Sequence, residues 1–593
     1  MHSNAAGSGR QALRSRLSRG RLLSVALPDT ALSPRERDAL GDYTADARLL
    51  LLAALAIVAG LAGGAIAWLL LRLIGLITNV SFYQRLSFAF TSPAHERLGW
   101  LVFVPPVIGG LLIGLIARFG SEKIRGHGIP EAIEAILAGG SNIPPRIALL
   151  KPLASAIAIG TGGPFGAEGP IIMTGGAFGS LFAQCFRLSA MERKTILVAG
   201  AAAGMAGIFG TPVAATLIAV ELLLFEWKPR SFVPVAVAAA TATVARIPLL
   251  GSGPLFPCHS APLPTLGVLL CVPVGVAAGL ASGGLTWLTY FFEDQFRRLP
   301  LHWMWWPALA GLLIGAAAMI EPDALGVGYD VIRALLAGRM LFGTLALLLV
   351  VKTLLWASTL GSGTSGGVLA PLLIIGGALG AMGAHALPVG TATIWALIGM
   401  TAVLGGTMRS PFTAIVFALE LTHDVNALLP LMVATFAAAG CTVLVLKRSI
   451  LTEKIARHGR HVIREYAVDP LEKVLVEEVM TRVRRPYREA AMPTDAERRS
   501  GANVGAAEPP VRAVARPGEP MSGVADRMAM LDLAWVPVVE PSTGTVVGIV
   551  TRHEVLRARA KTCAEEHERA RGFAWRRAGP RRAGPRIKTD GGR

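Results

Sequence analysis

Long apolar runs separated by short polar breaks dominate the chain. The first, "LLLAALAIVAGLAGGAIAWLLLRLIGLI" from Leu50, is followed by "LVFVPPVIGGLLIGLIA" from Leu101. "LGVLLCVPVGVAAGLASGGLTWL" from Leu266 and "GTLALLLVVKTLLWASTL" from Gly343 continue the series. A helix needs about 20 such residues to cross a hydrocarbon core of roughly 30 Å. The pattern therefore predicts a polytopic, helical membrane protein. Other apolar stretches are short or broken by Gly and Pro. Backbone groups left unpaired in hydrocarbon are costly, so broken helices survive only where protein or a watery cavity covers them.

The breaks recur. "GTGGPFGAEGPIIMTGGAFG" (160–179) aligns with "GSGTSGGVLAPLLIIGGALG" (361–380), matching six glycines and setting Pro170 on Pro371. "GIFGTPVAATLIAVEL" (207–222) aligns with "GTMRSPFTAIVFALEL" (406–421), setting Pro212 on Pro411 and Glu221 on Glu420. Two matches in one order predict duplicated halves over about 50–250 and 264–450. Matching breaks in such halves point to a midplane binding site.

Composition sharpens this picture. Hydrophobic residues make up 53% of the 593 and charged residues 16%. The formal charge of +18 sits largely at the ends. Five arginines and no acid occur in the first 21 residues, and nine Lys or Arg against one acid occur from Arg569. Short basic segments beside spans mark the cytoplasmic side, which predicts two cytoplasmic termini and an even number of crossings. Solvated basic tails explain the charge without a nucleic-acid partner. Cysteines 185, 258, 271, 441 and 563 form no metal-ligand spacing. No cleavable leader is evident in the polar first 48 residues.

A helix that begins inside a membrane aims free N–H groups and partial positive charge at whatever lies ahead, which suits an anion. Three stretches predict such starts. They are "GHGIPEA" (Gly126, His127, Gly128, Ile129, Pro130), "GAEGP" (Gly166, Glu168, Gly169, Pro170) and "GGVLAP" (Gly367, Val368, Leu369). "GSGTSG" (361–366) also fits a dinucleotide fingerprint, but no acid follows at the required distance and a membrane run precedes it. Glu168 is the one acid between Ala135 and Met191. A carboxylate beside helix starts competes with an anion until protonation removes its charge, which makes Glu168 a gate candidate. The structural alternative pairs it with a buried base, Lys151.

These three stretches, in this order within an inverted repeat, resemble the anion-filter signatures of the CLC chloride channel and transporter family over roughly 50–456. The resemblance implies a homodimer in the cell inner (plasma) membrane, with about 18 helices and one pore per subunit. It implies chloride as the bound substrate, Glu168 as the external gating glutamate, and backbone amides of Val368, Leu369 and Gly169 as anion donors. It also exposes departures. His127 stands where serine is usual, Leu369 replaces a filter phenylalanine, and Ala167 replaces a base before the gate. Leu451 stands where a tyrosine closes the inner end, and Leu222 where antiporters carry a second glutamate. Glu221, one position earlier, substitutes only if its helix turns by about 100°. A gate without an inner proton donor favours passive conduction. A proton/chloride antiporter, or a variant selective for fluoride or nitrate, is the alternative. His127 either titrates near the anion or stays neutral and donates an N–H.

The expected organisation is a cytoplasmic arm over 1–45, a membrane domain over 46–456, and a small α+β region over 470–560. From Leu471, "LEKVLVEEVMTRVRRP" resembles the opening of a CBS motif, interrupted by an insert over about 487–513. "EPMSGVADRMAMLDLAWVPVVEPSTGTVVGIVTRHEVLRARA" (519–560) resembles its completion, and a basic tail over 561–593 follows. "WVPVVE" and "VVGIVT" predict a hairpin. Glu554 stands where such motifs carry a ribose-contacting Asp, which weakens the case for an adenine nucleotide. A dimer clamp and a ligand sensor both remain as readings. Two other classes compete: a membrane enzyme using Glu168 and His127 as acid and base, and a carrier of organic solutes. The enzyme lacks a nucleophile–base–orienter set, a metal cluster and a phosphate loop.

Overall fold

The structure, a computed structural model, describes residues 48–138, 141, 143–457, 471, 474–482, 514–540 and 545–560. The expected arm (1–45), insert (487–513) and tail (561–593), and most of the hairpin turn, lie outside the described residues. The chain divides into two compact units. One spans 43–465, and the described residues of the other fall between 471 and 560.

The larger unit is helical. α1 (Arg48–Tyr83) and α2 (Val104–Phe119) lead into α3 (Ile129–Ala138), α4 (Pro145–Gly160) and α5 (Glu168–Gln184). α6 (Ala190–Phe209), α7 (Pro212–Ile218) and α8 (Pro229–Leu250) complete the first half. The order then repeats in α9 (Thr265–Arg298), α10 (Trp306–Ile320), α11 (Tyr329–Leu336) and α12 (Phe342–Gly361). α13 (Leu369–Gly383), α14 (Ala392–Met408), α15 (Pro411–Thr422) and α16 (Leu428–Val445) follow, with α17 (Ile450–Arg457) after them. Among the described residues, 7 helices are long and apolar enough to cross a membrane.

In lipid, apolar surface alone does not drive helices together, so small residues that admit close backbone approach carry the packing. Both halves use the same device. A Cβ at Gly175 of α5 would lie 2.3 Å from the Gly200 carbonyl oxygen of α6, and one at Gly200 would lie 2.3 Å from that of Gly175. Gly376 of α13 and Gly399 of α14 oppose each other in the same way, at 2.4 and 2.2 Å.

The halves are also stitched across their pseudo-twofold. Gly126 N donates to Gly363 O at 3.2 Å, and Gly326 N donates to Gly162 O at 3.1 Å. The aligned glutamates cross over as well. Glu420 accepts from Val213 N (3.0 Å) and Ala214 N (2.8 Å) at the start of α7. Glu221 accepts from Thr413 N (3.0 Å) and Thr413 Oγ1 (2.5 Å) at the start of α15. Each acid satisfies first-turn amides of the other half's short helix, the role of an N-cap supplied in trans. Glu420→Ala is therefore expected to cost about 1–2 kcal/mol. A lowered unfolding midpoint in detergent, matched by Glu221→Ala, checks it.

The smaller unit contains a three-stranded sheet in the order β1 (Thr481–Arg482), β3 (Val546–Thr551), β2 (Trp535–Val539). β2 and β3 pair antiparallel with Val536 opposite Val550, as a hairpin requires. Val524 and Met528 of α18 (Met521–Met530) belong to the same core as Val536, Val538 and Val550. Helix on sheet is an α+β arrangement. Glu554 is turned inward, accepting from Thr551 N at 2.9 Å and Thr481 Oγ1 at 3.0 Å. Burial raises the Glu554 pKa and these donors lower it, with a net fall below the usual carboxylate range.

Candidate functional site

Three loops meet where three helices begin. Gly166 and Gly367 form an antiparallel bridge, Gly367 N donating to Gly166 O at 2.8 Å and Gly166 N to Gly367 O at 3.3 Å. A Cβ at Gly169 would fall 1.9 Å from the His127 carbonyl oxygen and 3.3 Å from the Gly367 Cα. A Cβ at Gly128 would fall 2.8 Å from the Gly169 oxygen. Gly128 sits at φ +90°, a left-handed conformation that favours glycine. Only loops without side chains at these points approach so closely. Gly169→Ala is accordingly expected to lower anion flux roughly tenfold or more, the effect of shifting a bound position by about 1.4 kcal/mol. Flux assays on reconstituted protein of unchanged oligomeric state test this.

The helix starts fall on the sequence signals. Glu168 is the first residue of α5, followed by Gly169 and Pro170. Val368 caps α13 and Leu369 is its first residue, with Pro371 in the same position as Pro170. Ile129 and Pro130 open α3. First-turn amides have no intrahelical acceptor; those of Glu168 and Ala370 face the Glu168 carboxylate, and the others can face a ligand.

Glu168 is fully buried; no side chain bonds either carboxylate oxygen, and the carboxylate faces the backbone amides of Glu168 and Ala370 without a bond of full geometry. Its Oε2 lies so close to the bridge that a Cβ at Gly166 would be 1.8 Å away and one at Gly367 2.5 Å away. The carboxylate thus rests between the two central loops.

The expected alternative pairing with Lys151 does not occur. Lys151 Nζ donates to Ile124 O and Gly126 O, both at 2.7 Å, and so braces the first loop. A buried ammonium held by two loop carbonyls has its charge satisfied without an acid. Lys352 does the same in the second half, donating to Ala324 O (2.8 Å) and Gly326 O (3.2 Å). Lys151→Met is expected to strand two buried carbonyls at about 1–3 kcal/mol each. It should lower both the unfolding midpoint and chloride flux.

His127 is buried, with Nδ1 unpartnered. Its charged neighbours are Glu131, Lys151 and Lys454. Lys454 of α17 pairs with Glu131 of α3, and Tyr290 Oη donates to Ile450 O at 2.5 Å. Those contacts seat α17 beside the first loop and bury Leu451 completely. Leu222 is also completely buried, in a π-helical turn over Ala219–Leu224 that packs on α3 and α6. Glu221 is not turned to replace it. Its bonds to Thr413 hold it on the cap instead.

Several residues escaped the sequence reading. The second-half loop "GVGYD" (326–330) occupies the place of "GHGIP", and Lys352 that of Lys151. Ser155 and Ser365 bond at 2.8 Å across the halves. Extending the repeat alignment upstream of residue 160 finds the glycines and the lysine, but not the serines.

The sequence profile described as "Voltage gated chloride channel" matches residues 109–442. The voltage-gated ClC-type chloride channel ClcB of Salmonella typhimurium is 31% identical over 369 residues, covering 60% of this chain and 87% of that protein. The H(+)/Cl(-) exchange transporter ClcA of Salmonella arizonae is 28% identical over 425 residues, covering 67% and 85%. Among solved structures, a slow cyanobacterial Cl-/H+ antiporter superposes with a TM-score of 0.63 at 22% identity, covering 70% of this chain and 99% of that one. The chain belongs to the CLC family of chloride channels and transporters. Its membrane unit is the inverted-repeat fold of that family.

Proposed function

We propose that the chain passes chloride passively across the bacterial inner membrane, through a pathway gated by Glu168. The observation that carries this reading is the buried carboxylate, unpaired with any basic side chain, lying against the Gly166–Gly367 bridge ahead of the α13 start. Free amides of Val368, Leu369 and Gly169 supply dipoles rather than full charges, which attract an anion without holding it. Protonation of Glu168 removes the competing charge and lets it leave the path. The side chain of His127 stands at the inner loop as a donor in place of a serine hydroxyl.

Leu222 and Leu451 support weak or absent proton coupling. Both are fully buried where a relay to the inner face needs polar groups. The proposed assembly is a homodimer with both termini cytoplasmic, and the region after residue 470 is a CBS-like clamp rather than part of the pore. No enzymatic step is required of any residue. Anion flux from proteoliposomes, comparing chloride with fluoride and nitrate, tests the reading. Chloride flux that persists without a proton gradient supports it, and flux of fluoride alone overturns it.

A further inference from the structure

Tyr329 is a buried titratable group with no use in the scheme above. It is the first residue of α11, on the loop that matches "GHGIP" in the other half. Its hydroxyl is buried and has no hydrogen-bond partner. The ring is held by Phe90 (5.6 Å), Phe256 (5.6 Å) and Phe209 (6.4 Å between centroids). An aromatic clamp fixes where the hydroxyl points, while offering it nothing to bond. Buried hydroxyls normally find partners, so a fixed orphan calls for an occasional one.

Its position suggests which. Tyr329 lines a cavity with Phe90, Thr91, Ser92 and Pro93, from the segment that follows α1. That segment follows the C-terminal end of α1. α11 packs on α13, whose preceding loop carries Gly367 against the Glu168 carboxylate. The charged groups facing Tyr329 are Glu168, Arg333 and Arg246. Asp330 is its chain neighbour, and Lys352 braces its loop. α13 and α14, which pack against α11, carry no titratable residue. Arg246 donates to Gly251 O at 2.7 Å and is occupied there. A hydroxyl donor without a partner and a carboxylate without a cationic partner therefore lie within electrostatic reach of each other, joined through the packing of α11 on α13.

We propose that the Tyr329 hydroxyl donates a hydrogen bond to the Glu168 carboxylate when that side chain swings outward from the anion path. It is a positioning residue that stabilises the outward, still ionised gate, and it rests on the gate reading above. A hydroxyl bonds a carboxylate more strongly than a neutral carboxyl. Its benefit is therefore felt at neutral and alkaline pH.

The test compares chloride flux from proteoliposomes for wild type, Tyr329→Phe, Glu168→Ala and the double variant, from pH 4.5 to 8. Tyr329→Phe keeps the ring and its clamp. Flux at pH 7.5 should fall roughly tenfold, the effect of one bond to a charged group. Flux at pH 4.5 should change by less than about twofold, which also reports that the protein is folded. In the Glu168→Ala background the second substitution should change nothing. An equal loss at every pH, or a loss that persists without Glu168, would overturn the proposal and mark Tyr329 as an anion donor or a packing residue. An unaltered profile would overturn it too. Glu168→Ala that keeps full pH dependence would instead remove the gate reading.

Discussion

Replacing Glu168 with Gln is expected to leave a chloride pathway that no longer responds to pH. In the wild type one buried carboxylate stands between the central loops, with no basic side chain paired to its charge. Flux then follows the fraction of molecules in which that group is protonated or displaced. For a single titrating site this fraction changes by at most about tenfold per pH unit. Gln keeps the shape and loses the charge, so the path stays permissive at every pH. Glu168→Gln should match or exceed wild-type flux at pH 7.5 and vary less than about twofold down to pH 4.5. Wild-type flux should rise as external pH falls. A Gln variant with the wild-type pH profile would show that another group controls opening. The loops meet through glycine backbones, so this substitution leaves their geometry in place.

The second large effect concerns protons. Exchange requires a chain of titratable groups or water from the cytoplasmic side to Glu168. The two positions at which the family resemblance places inner polar groups hold Leu222 and Leu451, both fully buried. Glu221 is committed to the cap of α15 and would have to abandon two bonds to help. By the inner loop, Lys151 is held on the Ile124 and Gly126 carbonyls and Lys454 on Glu131, which leaves His127, with its Nδ1 unpartnered, as the side chain best able to exchange a proton. A chloride gradient is therefore expected to drive no uphill proton movement in the wild type. Leu222→Glu should introduce measurable proton flux by restoring an acid on the inner side. His127→Ser should abolish whatever trace of coupling exists, while preserving chloride flux. A glass electrode beside reconstituted vesicles, with a valinomycin clamp, reads all three.

How much of this was legible in the chain depends on distance along it. Apolar runs and the breaks between them are local properties, so the helices and the duplicated halves could be read directly. The loops that meet at the helix starts were legible for the same reason. Gly128, Gly166 and Gly367 mark close backbone approach, and Pro130, Pro170 and Pro371 mark first turns. What a buried charge binds is not local. Lys151 was a candidate partner for Glu168, yet it spends its donors on Ile124 and Gly126 carbonyls. Glu221 could stand in for an inner acid only on a turned helix, and its partner, Thr413, lies in the other half. Tyr329 was invisible because duplication preserved the glycines around it while the side chain itself changed from Ile129.

The most direct test of passive, gated chloride transport is the zero-current potential of planar bilayers or vesicles under crossed chloride and pH gradients. Passive conduction predicts a potential that moves by about 59 mV per tenfold chloride gradient. A pH gradient imposed alone should leave it unmoved. A reversal potential that shifts with pH by a fixed fraction of the chloride response would contradict it.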